Sequence, residues 1–573
     1  MPLRPRHNSR VSSPVRPSSA VRLTAWQPKL FAALRDYNFP TFRADLLAGL
    51  TVGLVALPLA LAFAISSGVK PEAGLYCAIV AGFLSSLLGG SKTQISGPTG
   101  AFVVVVAGIV AAHGIDGLFM CTMMAGVMMF LLGATGLGTA VKFIPRPVVV
   151  GFTNGIALLI ASTQIKDFLG LEIDKVPSLF LDRMAALAGA LNTVDPASAG
   201  LASASLALLI VFARWVRAVP GAIVALLLGT AAALLLPLGV ETVGSKFGGI
   251  PSGLPNFAIP SFRPDLLGTL LSPALTVAML GAIESLMSAV VADRMTGDRH
   301  NPNVELMAQG VANVASPLVG GLPSTGAIAR TATNIRSGAK TPVSGLIHAL
   351  TLLAILLFAA PLAAHIPLAV LAAILLMVAY NMGEWKEIPE ILRLSKADIA
   401  VWLATFLLTV LADLTVAVEA GMILAALLYI QRVTATTTVS AVTRDYIEEG
   451  IEHSLQGKDI PEGVAIFRIH GPFLFGSTDK LDEATRDIEA LPPIVILRLR
   501  NMTAIDATGI QALEDLAEKL HTSGRQLLFC GMRDQPMRLM HKAGFEGHVG
   551  PENICANIDA ALERVRELQG KAA

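Results

Sequence analysis

Two short runs decide how this chain folds: Ser96-Gly97-Pro98-Thr99-Gly100-Ala101 and Leu322-Pro323-Ser324-Thr325-Gly326-Ala327. Their Thr-Gly-Ala triplets lie 325 − 99 = 226 positions apart, and the same offset carries Pro58 onto Glu284. A looser echo relates Ile144-Pro145 to Ile366-Pro367 at an offset of 222. Each triplet follows a Pro-containing polar turn and opens an apolar segment of limited length, residues 100–112 and 326–333. A helix needs about 20 apolar residues to cross a bilayer, so neither segment spans alone. Outward from them, longer apolar candidates begin near Leu46, Gly74, Gly117, Val148, Leu201, Gly221, Leu266, Val343, Ile366, Ile399 and Leu414, with a shorter and more polar one at 304–320. If the two short segments are half-helices, the chain has fourteen spans. Seven per half is an odd number, so the two copies lie in opposite orientations. The alternative is that Gly and Pro only kink ordinary spans; matching triplets at the same rank in each half favour the repeat.

Charge agrees with this count. Basic residues including Lys92, Arg146, Arg217, Arg294, Arg336 and Lys386 gather on the even-numbered connections, and the odd ones hold fewer. The positive-inside rule then puts the even side and both termini in the cytoplasm, with the spans in the inner membrane. Residues 1–44, rich in Arg, Pro and Ser, read as a disordered cytoplasmic leader. Residues 45–432 read as the membrane transporter domain and 433–573 as a soluble domain. The sequence is 53% hydrophobic and 15% charged with net charge +1, against about 25% charged in soluble proteins. Nothing in that balance points to nucleic acid. Cys77, Cys121, Cys530 and Cys555 show no CxxC spacing, and buried or free thiols are expected rather than disulfides or a metal site.

Broken helices at matching positions of inverted halves point to a midplane binding site. The first N–H groups of each half-helix are unpaired and the helix dipole is positive there, so two facing starts attract an anion without any side-chain charge. Thr99 and Thr325 can add hydroxyl donors. Arg330, five residues past Thr325, is either part of that site or an anchor reaching for the interface. Glu284 lies inside an apolar span, with Ser288 at i+4 on the same face. Its carboxylate can take a proton, bind a cation or pair with Arg330.

These stretches, with Gly53–Gly68, Pro145–Ala157, Gly281–Ser288 and Thr325–Lys340, resemble the sulfate permease (SulP) family of anion transporters. The resemblance implies a core of spans 1–4 and 8–11, a gate of spans 5–7 and 12–14, elevator-like motion of core against gate, and a homodimer. It implies an anion site between spans 3 and 10, assigned to Phe63, Thr99, Gly100, Ala101, Thr325, Gly326, Ala327 and Arg330, with coupling at Glu284 and Ser288. Animal relatives commonly carry Gln after the first-span Pro, where this chain has Leu59, so cargo cannot be read from them. Glu rather than Asp at 284 favours a coupling proton over sodium. The function expected is uptake of a small inorganic or carboxylic anion: sulfate first, then bicarbonate or a dicarboxylate. An uncoupled channel of the same fold is the alternative. A nucleobase permease is disfavoured, since that class typically carries a second carboxylate in its tenth span.

The tail alternates strand-like runs (464–469, 494–499, 526–530) with amphipathic ones (478–488, 507–520, 535–543, 558–568), the pattern of an α/β domain. It resembles the STAS domain, on the strength of Asn501-Met-Thr-Ala-Ile-Asp506-Ala-Thr508-Gly509. In the anti-sigma-factor antagonists that share this domain a phosphorylated Ser follows the Asp; here that residue is Ala507. Thr508 is the substitute candidate, and Asp506 is either part of such a switch or a helix cap. No catalytic constellation, metal set or cofactor motif emerges, and no enzyme is expected.

Overall fold

The computed structural model describes residues 26–572 except 139–144, 174–175, 178, 216–219, 262, 413, 443–454 and 456–457. It divides into two compact units, Met1–Met422 and Ile423–Ala573.

The first unit is helical. Its helices are α1 (Phe39–Ser66), α2 (Pro71–Leu88), α3 (Gly100–Ala134), α4 (Arg146–Leu169), α5 (Pro196–Trp215), α6 (Gly221–Leu235), α7 (Leu267–Thr296), α8 (Pro302–Ala315), α9 (Ile328–Arg336), α10 (Val343–Phe358), α11 (Leu368–Met382) and α12 (Lys396–Leu411), followed by α13 (Leu414–Ala435). Among the described residues six helices are long and apolar enough to cross a membrane alone. Gly114, at φ 71° and ψ −173°, breaks α3 into the two segments that the sequence separates. Two strands of two residues, β1 (Ser96–Gly97) and β2 (Thr325–Gly326), precede α3 and α9.

Packing is consistent with the repeat. α1–α3 and α7–α10 form one bundle, while α4, α5, α6, α11 and α12 form another. The neighbours come in exchanged pairs: α1 packs on α10 as α7 packs on α3, and α2 on α10 as α8 on α3. In the second bundle α4 meets α12 as α11 meets α5. Such exchange is what inverted copies produce. In a bilayer, close helix approach relies on small residues because lipid supplies no hydrophobic drive. Where α3 crosses α8, a Cβ on Gly126 would lie 2.7 Å from the Gly310 carbonyl oxygen, and one on Gly310 2.6 Å from that of Gly126. Gly310→Ala is therefore expected to cost about 1–3 kcal/mol of overpacking. A lowered thermal midpoint of the detergent-purified protein is the check; an unchanged one would contradict the crossing.

Part of the stretch expected to be disordered is ordered. Residues 1–25 lie outside the described residues, but the chain from Trp26 onward is ordered. The Trp26 indole Nε1 donates to the Leu88 carbonyl at 3.1 Å, and its ring meets Phe130 edge-on. Lys29–Ala33 is helical, and the Asn38 side chain caps α1 by accepting from the Thr41 N–H. The aromatic and polar contacts made by Trp26 and Asn38 outweigh the compositional signal for disorder.

The second unit holds a five-stranded sheet in sequence order: β3 (Thr438–Ala441), β4 (Val464–Phe473), β5 (Ile494–Ile505), β6 (Gln526–Cys530) and β7 (Ile554–Cys555). β3 is antiparallel to β4, and the other pairs are parallel. Alternation in β5 feeds two cores: Val495, Leu497 and Leu499 on one face, Ile494 and Ile496 on the other. Helices α14 (Ala507–Thr522), α15 (Asp534–Lys542) and α16 (Ile558–Ala572) complete the unit. Of the amphipathic run 478–488, only Asp479–Ala484 is α-helical.

Candidate functional site

β1 and β2 pair antiparallel, Ser96 opposite Gly326 and Gly97 opposite Thr325, so the two quoted runs meet face to face. Only a close crossing of backbones permits this, and the glycines allow it. Gly97 has φ 152°, where a side chain is strained. A Cβ there would sit 2.7 Å from Arg330 Nη1.

The site residues divide by what they hold. Thr99 precedes α3 without capping it; its hydroxyl donates instead to Glu284 Oε2 at 2.9 Å. The link joins the two halves of the repeat, and both residues are partly buried. Gly100 and Ala101 open α3 with their N–H groups. Gly100 faces the second bundle, with Ile160 of α4 and Met382 of α11 nearest to where a Cβ would stand.

On the opposite side the helix starts later than the sequence suggests. The Gly326 N–H donates to Ser285 Oγ at 3.0 Å and the Ala327 N–H to the Ile95 carbonyl at 2.8 Å. The first free turn therefore belongs to Ile328 and Ala329, both exposed. Thr325 is fully buried, its hydroxyl within 3.1 Å of the Gly281 carbonyl and 2.8 Å of Ser285 Oγ. That makes it a structural tie of β2. Ser288 is turned away from Glu284 and donates to Thr331 Oγ1 at 3.0 Å, which also accepts the Ile95 N–H. Phe63 is buried in the apolar core.

Arg330 is 2% exposed and donates through Nη2 to the Pro98 carbonyl. An interface anchor would reach solvent, so that reading is corrected. Arg330 and Glu284 are held by different partners rather than by each other.

Several residues were missed. Ser285 bridges Gly326 and Thr325; its signal was adjacency to Glu284. On α8, Gln309 Nε2 donates to Ser96 Oγ at 2.6 Å and to Glu305 Oε1 at 3.1 Å. Asn313 Nδ2 donates to the Ser324 carbonyl, and Asn313 Oδ1 accepts the Ser324 N–H, both at 2.8 Å. Polarity of the segment 304–320 was the available signal, since a buried amide must be paired. Asn313→Leu removes both bonds to β2's approach and is expected to destabilise by about 1–3 kcal/mol. Thermal unfolding checks this, and a neutral result would mean β2 does not depend on the clamp.

The sequence pattern of the sulfate permease family matches residues 42–405, and that of the STAS domain matches 458–561. The chain belongs to the sulfate permease family. A protein named as a sulfate transporter, YvdB of Bacillus subtilis, is 42% identical over 527 residues, covering 92% of this chain and 98% of the relative. The chain is also 32% identical over 553 residues to the bicarbonate transporter BicA of Picosynechococcus, covering 92% and 95%. The solved transmembrane domain of a cyanobacterial BicA matches with 37% identity and a TM-score of 0.60, over 68% of this chain and 98% of that one. Murine Solute Carrier 26 family member A9, at 18% identity, shares the fold: its TM-score is 0.83, over 98% and 96% of the two chains.

In the C-terminal unit, Asp506 is the helix cap. Its Oδ1 accepts the Gly509 N–H at 2.9 Å, and its Oδ2 accepts the Phe475 N–H at 3.1 Å, tying β4's end to α14. Thr508 is exposed on the first turn of α14.

Proposed function

We propose that this protein carries a small oxyanion, sulfate first, across the inner membrane together with a proton. Residues 45–432 carry the transport, 433–573 form the STAS domain, and both termini are cytoplasmic. The observation that supports the reading is the meeting of the α3 and α9 starts beside the Thr99–Glu284 hydrogen bond. The anion rests against the N–H groups of Gly100 and Ala101 on one side and of Ile328 and Ala329 on the other. While Glu284 is ionised it holds the Thr99 hydroxyl and repels the cargo. Each unit of negative charge on the cargo, about 4–6 Å from the carboxylate, is repelled by about 3–4 kcal/mol at an effective dielectric of about 20, which is about two to three powers of ten in affinity per charge. Protonation removes that charge and frees the Thr99 hydroxyl to donate to the anion. The first bundle then slides against the second, past Ile160 and Met382, which lie against Gly100.

Bicarbonate is the second reading, favoured by the likeness to BicA over nearly the full chain. Uptake of radiolabelled sulfate and bicarbonate into proteoliposomes, with and without an inward acid gradient, separates the possibilities. Sulfate accumulation driven by the gradient is expected. Bicarbonate uptake alone would change the cargo, and flux indifferent to the gradient would make the protein an uncoupled pathway.

A further inference from the structure

We propose that Cys530 and Cys555 form a dithiol modification site in the C-terminal unit, closing reversibly to a disulfide on exposure to a low-molecular-weight disulfide such as oxidised glutathione. The two cysteines are register partners on the neighbouring parallel strands β6 and β7. Both are free thiols, and both pack on the same sheet face, against α16. Neighbouring strands lie about 4.8 Å apart, inside the window of about 4.4–6.8 Å between Cα atoms that a disulfide requires. β7 is a two-residue edge strand running straight into α16, so it can adjust to bring the sulfurs together.

The pair is also divided in a useful way. Cys530 is buried at 1% exposure and Cys555 is partly exposed. Burial pushes the Cys530 thiol up to about 12, against the pull of Arg498, its register partner on β5. Cys555, also raised by burial but opposed by Arg564, is the thiol that solvent reagents meet first. Its thiolate attacks one sulfur of oxidised glutathione and expels one glutathione thiolate. The Cys530 thiolate then attacks the Cys555 sulfur of the mixed disulfide and expels the second. Two protein thiols are oxidised, one glutathione disulfide is reduced to two thiols, and the two cysteine protons end on the glutathiones.

The test uses the full-length purified protein, incubated with oxidised glutathione, alkylated under denaturing conditions and digested with trypsin. The expected product links peptides 526–533 and 543–564, with two of the four thiols lost and both restored by dithiothreitol. In Cys555→Ser, which changes the partly exposed member, Cys530 should remain alkylatable. A mixed disulfide persisting on Cys555 while Cys530 stays free, or full alkylation of both after the oxidant, would overturn the proposal. So would oxidation of Cys530 in Cys555→Ser.

Discussion

Glu284→Gln is expected to abolish the response of anion uptake to an imposed pH gradient. With one proton bound per anion, the wild type should gain about tenfold in accumulation for each pH unit of gradient. Glutamine matches the protonated acid in shape and charge, so it leaves the Thr99 hydroxyl as free for the anion as that acid does. What it removes is the titration. Uptake down the anion's own gradient should persist, because a permanently neutral side chain mimics the protonated state. The measurement is initial uptake into proteoliposomes at equal and unequal pH. A variant that still concentrates its cargo under an acid gradient would place the coupling proton elsewhere.

Gly97→Ala should damage transport by adding a single methyl group beside the candidate site. At φ 152° the backbone disfavours any side chain, a strain of about 1–3 kcal/mol. The new carbon would also stand 2.7 Å from Arg330 Nη1 and 3.4 Å from the Ala78 Cα. Arg330 cannot simply withdraw, since its other nitrogen holds the Pro98 carbonyl. Relief of the clash must therefore move the loop that sets Thr99. Uptake is expected to fall more than tenfold while the protein still elutes as a single folded species. Normal uptake would show that the β1–β2 pairing is not needed to seat the anion.

Much of this was legible in the sequence because helical spans and their breaks are written in local composition. Long apolar runs, Pro-containing turns and the offset of 226 placed α3 and α9 opposite each other before any contact was known. The positions of Glu284 and Arg330 followed from their rarity in apolar segments. Partner choice was less legible. Ser288 shares a helix face with Glu284 by spacing, yet it donates to Thr331, because α9 packs where no spacing rule can place it. Thr325 looked equivalent to Thr99, but Ser285 and the Gly281 carbonyl occupy its hydroxyl, and the repeat is asymmetric there. The start of α9 shifted by two residues for the same reason: Gly326 and Ala327 spend their N–H groups on Ser285 and Ile95. Local sequence records propensity, whereas such bonds belong to the tertiary arrangement.

Equilibrium binding of radiolabelled sulfate to purified Ala329→Asp probes the anion seat proposed at the N–H groups of the facing helix starts. Ala329 is exposed in the first turn of α9, where an acidic side chain favours the helix dipole. The variant should thus fold as well as the wild type while placing a carboxylate where the anion would rest. The prediction is saturable sulfate binding by the wild type, tighter at acid pH, and its loss in Ala329→Asp with thermal stability kept. Equal sulfate affinity in the two proteins would contradict the seat.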